Sequence, residues 1–197
     1  MFYMPPITQA LILANVLVFL LENLTGGATL AWLALWPAGP QFNFWQLLTY
    51  AFLHDGFWHL LLNMFGLYMF GSDLERVWGP RRYLLYYVVC VLAAGLSQTA
   101  FAAATGAYYP TIGASGGVFG LLLAFALYFP QRMILLLFPP IPMPAWLFAT
   151  LYGVVELASG VAGLAGGIAH FAHLGGMLGG FLLIRYWRSG WRPRRHL

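Results

Sequence analysis

Charge is almost missing from this chain. Asp, Glu and Arg make up 7% of its 197 residues, whereas a water-facing domain of this length carries about 25% charged residues. So few charges cannot coat a surface in water, and most of the surface is expected to face lipid. An apolar share of 61% and a mean hydropathy of +0.78 point the same way. The 8 Trp and 11 Tyr suit rings gathered at two bilayer interfaces. The stretches between apolar runs are too short to hold another unit. One membrane domain over residues 1–187 is expected, followed by a basic cytoplasmic tail over 188–197.

The few charges are informative by position. A net charge of +4 would suggest nucleic acid as the partner of a soluble protein, but its distribution speaks for membrane topology and against nucleic acid. All nine basic residues are Arg: Arg76, Arg81 and Arg82, then Arg132, then Arg185, Arg188, Arg192, Arg194 and Arg195. Such clusters mark cytoplasmic flanks. Six apolar spans can be drawn: Ile7–Glu22, Trp58–Val77, Tyr83–Ala104, Gly113–Phe129 (stopped by Pro130), Ala145–Leu157 and Ile168–Trp187. With both termini cytoplasmic, the three inner segments are where all nine Arg fall, whereas five or seven spans would strand a cluster outside. The expected fold class is therefore all-α, polytopic, with six transmembrane helices. Asn23–Phe57 mixes Gly and Pro with Trp32, Trp36 and Trp45 and reads as an interfacial loop. The first run has no basic n-region and no A-x-A-like site, so it reads as a retained helix. Cys90 stands alone, which excludes a disulfide framework and a thiolate metal cluster.

Three segments keep polar groups inside apolar helices, where they are costly and usually functional. In "HDGFWHLLLNMFG", His59 and Asn63 are four apart and share a helix face; taken alone, they read more readily as interhelical glue. In "GASGGVFG", Ser115 opens a helix whose first N–H groups are free to face an anion. Glycines there also suit plain helix packing. In "IAHFAHLGGMLGG", His173 shares a smooth face with Gly176 and Gly180, and Gly116 and Gly120 offer a matching face. Such packing would bring His173 to Ser115. Serine is a poor nucleophile until a base takes its proton, and the oxyanion that follows needs donors. The Ser115 N–H, His59 and Asn63 could supply them. No acid lies in the two segments that hold Ser115 and His173, so a Ser–His dyad without an orienting carboxylate is expected.

"WQLLTYAFLHDGFWHLLLNMFGLYMFGSDLERVWG", "GASGGVFG" and "AHLGG", in this order and spacing, resemble the rhomboid intramembrane proteases over Trp45–Gly180. The resemblance implies a minimal six-helix core of bacterial type, in the cell (inner) membrane, with a cavity opening to the extracytoplasmic side. It implies Ser115 as nucleophile and His173 as general base. The oxyanion hole would comprise His59, Asn63 and the Ser115 backbone, with the Ala114 backbone beside it. Phe119 matches an aromatic that packs on the catalytic imidazole, and Gly113 and Gly116 flank the nucleophile. Gly176 and Gly180 match a close contact between the fourth and sixth helices. Glu75 matches a carboxylate tying the inner end of the second helix, and Trp45 opens a loop motif. That motif usually reads Trp-Arg, whereas Gln46 follows here, which bears on the loop's anchoring. His170 competes with His173 as base; the position directly before Leu-Gly-Gly and the glycine face favour His173. His54 is expected to support the cavity mouth, and His196 to be a solvated tail residue.

The implied activity is a serine endopeptidase cutting transmembrane segments of membrane proteins, with no cofactor and no metal. The substrate would enter past the fifth helix, with the glycine-rich Ala158–Gly167 as a mobile cap. Two alternatives are a catalytically silent rhomboid-like binding protein and a small transporter using His170 and His173 as a metal site. The sequence around those histidines holds no acid and no H-E-x-x-H, which argues against a metal site and a zinc protease.

Overall fold

The computed structural model describes residues 4–25, 27–135, 140–163 and 169–190. Arg192, Arg194, Arg195, His196 and residues 164–168 lie outside the described residues. In chain order the helices are α1 (Pro6–Thr25), α2 (Gly27–Leu33), α3 (Gln46–Thr49), α4 (Phe57–Gly66) and α5 (Ser72–Trp78). There follow α6 (Pro80–Thr105), α7 (Ser115–Tyr128), strands β1 (Met133–Leu135) and β2 (Pro142–Pro144), then α8 (Ala145–Ala162) and α9 (His170–Gly190). Among the described residues, α1, α6 and α8 are each long and apolar enough to cross a bilayer, and α7 is a shorter apolar helix.

The second apolar run is one helical path with a local change of pitch. A π turn over Leu67–Gly71 joins α4 to α5, and π bulges inside helices often accompany functional sites. Glycines bracket it. A Cβ on Gly66 would come 2.7 Å from Val118, and one on Gly71 would overlap the Tyr83 hydroxyl. Gly79 then breaks the path at φ +76, and Pro80 starts α6 where a missing N–H does no harm. The fifth run extends past the expected Leu157 to Ala162, because the stop signal is Gly163 in the left-handed conformation.

The fold is mostly helical, as expected for an all-α class, with one short hairpin outside that expectation. The proline-rich stretch before α8 pairs antiparallel with the segment after Arg132, in register Met133↔Pro144, Ile134↔Met143 and Leu135↔Pro142. Pro142 and Pro144 hold φ near the extended range and donate nothing to a ladder, so a short, edge-like hairpin is what they allow.

The stretch between α1 and α4 is anchored by a buried amide. Gln46 is fully buried. Its side-chain oxygen accepts from the N–H of Asn43 (3.0 Å) and Trp36 (3.4 Å), and its amide donates to the Gln41 carbonyl at 3.0 Å. Trp45 stacks on Trp32 and donates its indole N–H to the Trp32 carbonyl at 3.0 Å. A neutral amide thus gathers this stretch without a charge to bury. At the start of α1, Glu75 accepts the N–H groups of Ile7 (2.9 Å) and Thr8 (2.7 Å) and the Thr8 hydroxyl (2.8 Å). A carboxylate on orphan first-turn donors is favoured by both hydrogen bonding and the helix dipole.

Candidate active site

Three helices present polar side chains from their first turns: His59 on α4, Ser115 on α7 and His173 on α9. Helix α9 packs on both α6 and α7, and small residues set how near it comes. A Cβ on Gly176 would overlap the Gly116 carbonyl oxygen, and one on Gly120 would come 3.1 Å from the Gly176 oxygen. The α7–α9 contact is therefore backbone on backbone where Gly176 meets Gly116, while Gly120 also makes room for the Cys90 side chain of α6. Gly180 departs from the expectation that it would face α7. Its missing Cβ would overlap the Tyr86 hydroxyl and approach Cys90, both on α6. Gly175 and Gly179 likewise seat against Ser97 and Ala93 of α6. Two glycine faces let one helix settle between two neighbours.

That approach brings His173 Nε2 to 2.7 Å from Ser115 Oγ. Phe119, one turn beyond Ser115, stacks on the imidazole with centroids 4.3 Å apart and planes 5° from parallel. The ring plane of His173 is thereby held by packing as well as by the hydrogen bond.

The segment leading to Ser115 is pinned from the other side. Leu35 and Thr111 exchange backbone hydrogen bonds at 3.0 and 2.9 Å, and the Gly113 N–H donates to the Tyr50 carbonyl at 2.9 Å. Gly113 has φ +118, and a Cβ there would lie 2.9 Å from His59 Nε2 and 3.6 Å from Ser115 Oγ. Only glycine leaves this gap open. His59 Nδ1 accepts the Asp55 N–H at 3.2 Å, which assigns the neutral ring's proton to Nε2, the atom facing Gly113. Asn63 is buried, and its amide donates to the His59 carbonyl at 2.9 Å, leaving its second N–H for other use. The Ser115 N–H belongs to the first turn of α7, with Ala114 at the cap position, where helix geometry gives it no intrahelical acceptor.

His54 packs edge-on against His59, with centroids 5.0 Å apart. Burial, then the neighbouring His59, push its pKa down to about 4, so it is neutral at ordinary pH. Its backbone N–H donates to Glu22 at 3.1 Å. A cavity of about 870 Å³ touches His59, Asn63, Ser115, Phe119 and His173, with Met69 of the π turn among its apolar walls.

A Rhomboid domain model matches residues 41–189. The chain belongs to the rhomboid family. It is 37% identical over 134 residues to mitochondrial Rhomboid protein 1 of Saccharomyces cerevisiae, covering 67% of this chain and 38% of that one. Rhomboid protease GlpG of Klebsiella pneumoniae is 30% identical over 182 residues, 83% of this chain and 61% of its own length. Rhomboid protease GluP of Bacillus subtilis is 28% identical over 185 residues, 90% of this chain and 34% of its own. This rhomboid chain therefore spans from about a third to three fifths of the length of these relatives.

One member of this rhomboid's site escaped sequence reasoning. Glu156, on α8, is buried and places Oε2 2.7 Å from His170 Nδ1 and 2.9 Å from His173 Nδ1. The sequence predicts a Ser–His pair without an orienting carboxylate; a carboxylate does lie 2.9 Å from His173 Nδ1, without an aligned hydrogen bond. The acid comes from a different helix, 17 residues before His173, where no local motif connects them. A signal did exist: Glu156 is the sole acidic residue after Glu75, and a lone carboxylate in an apolar helix is a functional flag in itself.

Proposed function

We infer that this chain is an intramembrane serine endopeptidase, acting on transmembrane segments of membrane proteins. The observation that carries the reading is the 2.7 Å contact between Ser115 Oγ and His173 Nε2, beside a cavity that His59 and Asn63 also line. In the proposed reaction His173 Nε2 takes the hydroxyl proton as Oγ attacks the scissile carbonyl. The resulting oxyanion is met by His59 Nε2–H, the free N–H of Asn63 and the Ser115 N–H, with the Ala114 backbone beside them. His173 then returns the proton to the leaving amine, and water releases the acyl group by the same steps in reverse. Glu156 faces Nδ1 of the imidazolium and stabilises the charge that appears there. Phe119 fixes the ring, and Gly113, Gly116 and Gly176 set the spacings.

The topology we assign is six spans with both termini cytoplasmic: α1, the α4–α5 path, α6, α7, α8 and α9. Residues 27–56 lie at the interface, and residues 1–187 form the domain. The contacts at one end of the bundle support this. Arg76 and Arg132 both pair with Asp73, and Arg82 and Arg188 lie over Trp187 and Tyr128. The site opens at the opposite, extracytoplasmic end, in the cell membrane of a bacterium. A substrate helix enters past α8 and unwinds to expose its carbonyl, so a small or helix-breaking residue near the cut is expected.

The test is cleavage of a generic transmembrane substrate by purified protein, with the serine labelled by an activity-based phosphonate probe. Cleavage and labelling are both expected to vanish in Ser115→Ala. Cleavage at the wild-type rate in that variant would end the assignment.

A further inference from the structure

Glu156, His170 and His173 make more than an orienting contact. His170 and His173 are buried and Glu156 only just so, and their ligand-capable atoms lie within 4.8 Å of one another. One carboxylate oxygen serves both Nδ1 atoms, but not equally well. It meets His170 in a hydrogen bond, whereas Nδ1 of His173, although 2.9 Å away, makes no aligned hydrogen bond. A buried imidazole nitrogen without a proper partner is costly. It points into a cluster whose other two members are a second imidazole and a carboxylate.

The geometry points to a transition-metal site, of which Zn²⁺ is the natural occupant, built from Glu156, His170 Nδ1 and His173 Nδ1. Two His and one Glu with an open fourth position is a recurrent zinc donor set. Metal–ligand bonds of about 2.0–2.2 Å in a tetrahedron place donors about 3.3–3.6 Å apart, so the present 2.7 and 2.9 Å spacings must open by roughly 0.4–0.9 Å, with all three ligand atoms already within 4.8 Å of one another. Glu156 and His173 both line the cavity, which gives the ion a path and leaves the fourth position for water. The acid missing from the sequence around His170 and His173 is supplied by α8, and that removes the objection to a metal there.

Occupancy inhibits, and the reason is the tautomer. Neutral imidazole carries one ring proton. In the proposed resting site His173 holds it on Nδ1 and offers the Nε2 lone pair to Ser115. With Nδ1 on the metal, the same proton sits on Nε2, which then donates to Ser115 Oγ and cannot accept from it. No base remains. The inhibitory consequence rests on the Ser115–His173 reading; the binding does not.

The experiment reads the two separately. Full-length protein in detergent is titrated with Co²⁺ as a spectroscopic stand-in, and binding is followed by visible ligand-field bands with no substrate present. Cleavage is then measured against free Zn²⁺, with Mg²⁺, which prefers oxygen ligands, as control. We expect Co²⁺ bands of low-coordinate type that Zn²⁺ displaces, and inhibition by Zn²⁺ and not by Mg²⁺. In Glu156→Gln and His170→Gln, each normalised to its own uninhibited rate, the Zn²⁺ midpoint should rise at least about 10-fold. A Zn²⁺-dependent rise in melting temperature, lost in both variants, checks the site even where a variant cleaves poorly. Absence of Co²⁺ bands, or a midpoint unmoved in both variants, overturns the site. Binding that leaves cleavage untouched overturns the inhibition. Failure of the protease reading would appear differently, as intact metal binding in a protein whose Ser115→Ala variant is indistinguishable from wild type.

Discussion

The two ends of the helical bundle handle polarity in opposite ways. At the end holding Asp73, Arg76, Arg82, Arg132 and Arg188, charges lie partly exposed and pair with each other or with Trp187 and Tyr128. At the other, His54, Asn63, Glu156, His170 and His173 are buried, Glu156 from the C-terminal half of α8 and the rest from helix starts and loops near Ser115. Exposed pairs contribute about 0–1 kcal/mol each, because water screens them and long side chains lose freedom. Buried polar groups each carry a desolvation cost, which a well-placed partner offsets. The exposed pairs at the first end can tolerate edits; buried Glu75 beside them and the polar groups of the second end should not.

That contrast can be broken or sharpened by substitution. The largest effect is expected from His173→Ala, about 10⁴-fold or more in kcat/KM, since a nucleophile without its base keeps only the binding and oxyanion contributions. Circular dichroism should report an unchanged helical content. Next comes Asn63→Ala, at about 10²–10³-fold in kcat if its second N–H reaches the oxyanion; a change confined to KM would remove it from that role. Gly176→Ala adds a methyl where the Gly116 carbonyl stands, and overpacking of this kind costs about 1–3 kcal/mol. A lower melting temperature in detergent and a slower rate should appear together, because the same contact sets the Ser115–His173 distance. At the charged end, Asp73→Asn releases Arg76 and Arg132 together. It should cost about 1 kcal/mol or less and leave cleavage of a reconstituted substrate near the wild-type rate. A large loss there would mean that the two ends are coupled along α7.

Gly180 and Gln46 show where reading by pattern gave way. The spacing of Gly176 and Gly180 after His173 announced a close helix contact, and a close contact exists. Which helix each glycine meets depends on how α9 rolls between α6 and α7, and a roll is settled by every side chain along both faces. Gln46 looked like a misfit against the usual Arg, yet as a buried amide it accepts from Asn43 and Trp36 and donates to Gln41. Those partners are backbone groups of neighbouring residues, invisible until the stretch has folded.

The sequence by itself determined the solvent and the cast. Scarce charge required a lipid-facing chain, apolar runs of set length required helices, and polar residues inside apolar helices singled out Ser115, His59, Asn63 and His173 as candidates. Local chemistry suffices for these, because hydrophobicity, periodicity and helix-end donors are properties of short segments. Tertiary structure alone decided the 2.7 Å contact of Ser115 with His173, the stacking of Phe119 and above all the arrival of Glu156 between two imidazoles. These depend on how α7, α8 and α9 pack. A helix's position on its neighbours is a sum over many small contacts, so no motif of a few residues could have written it.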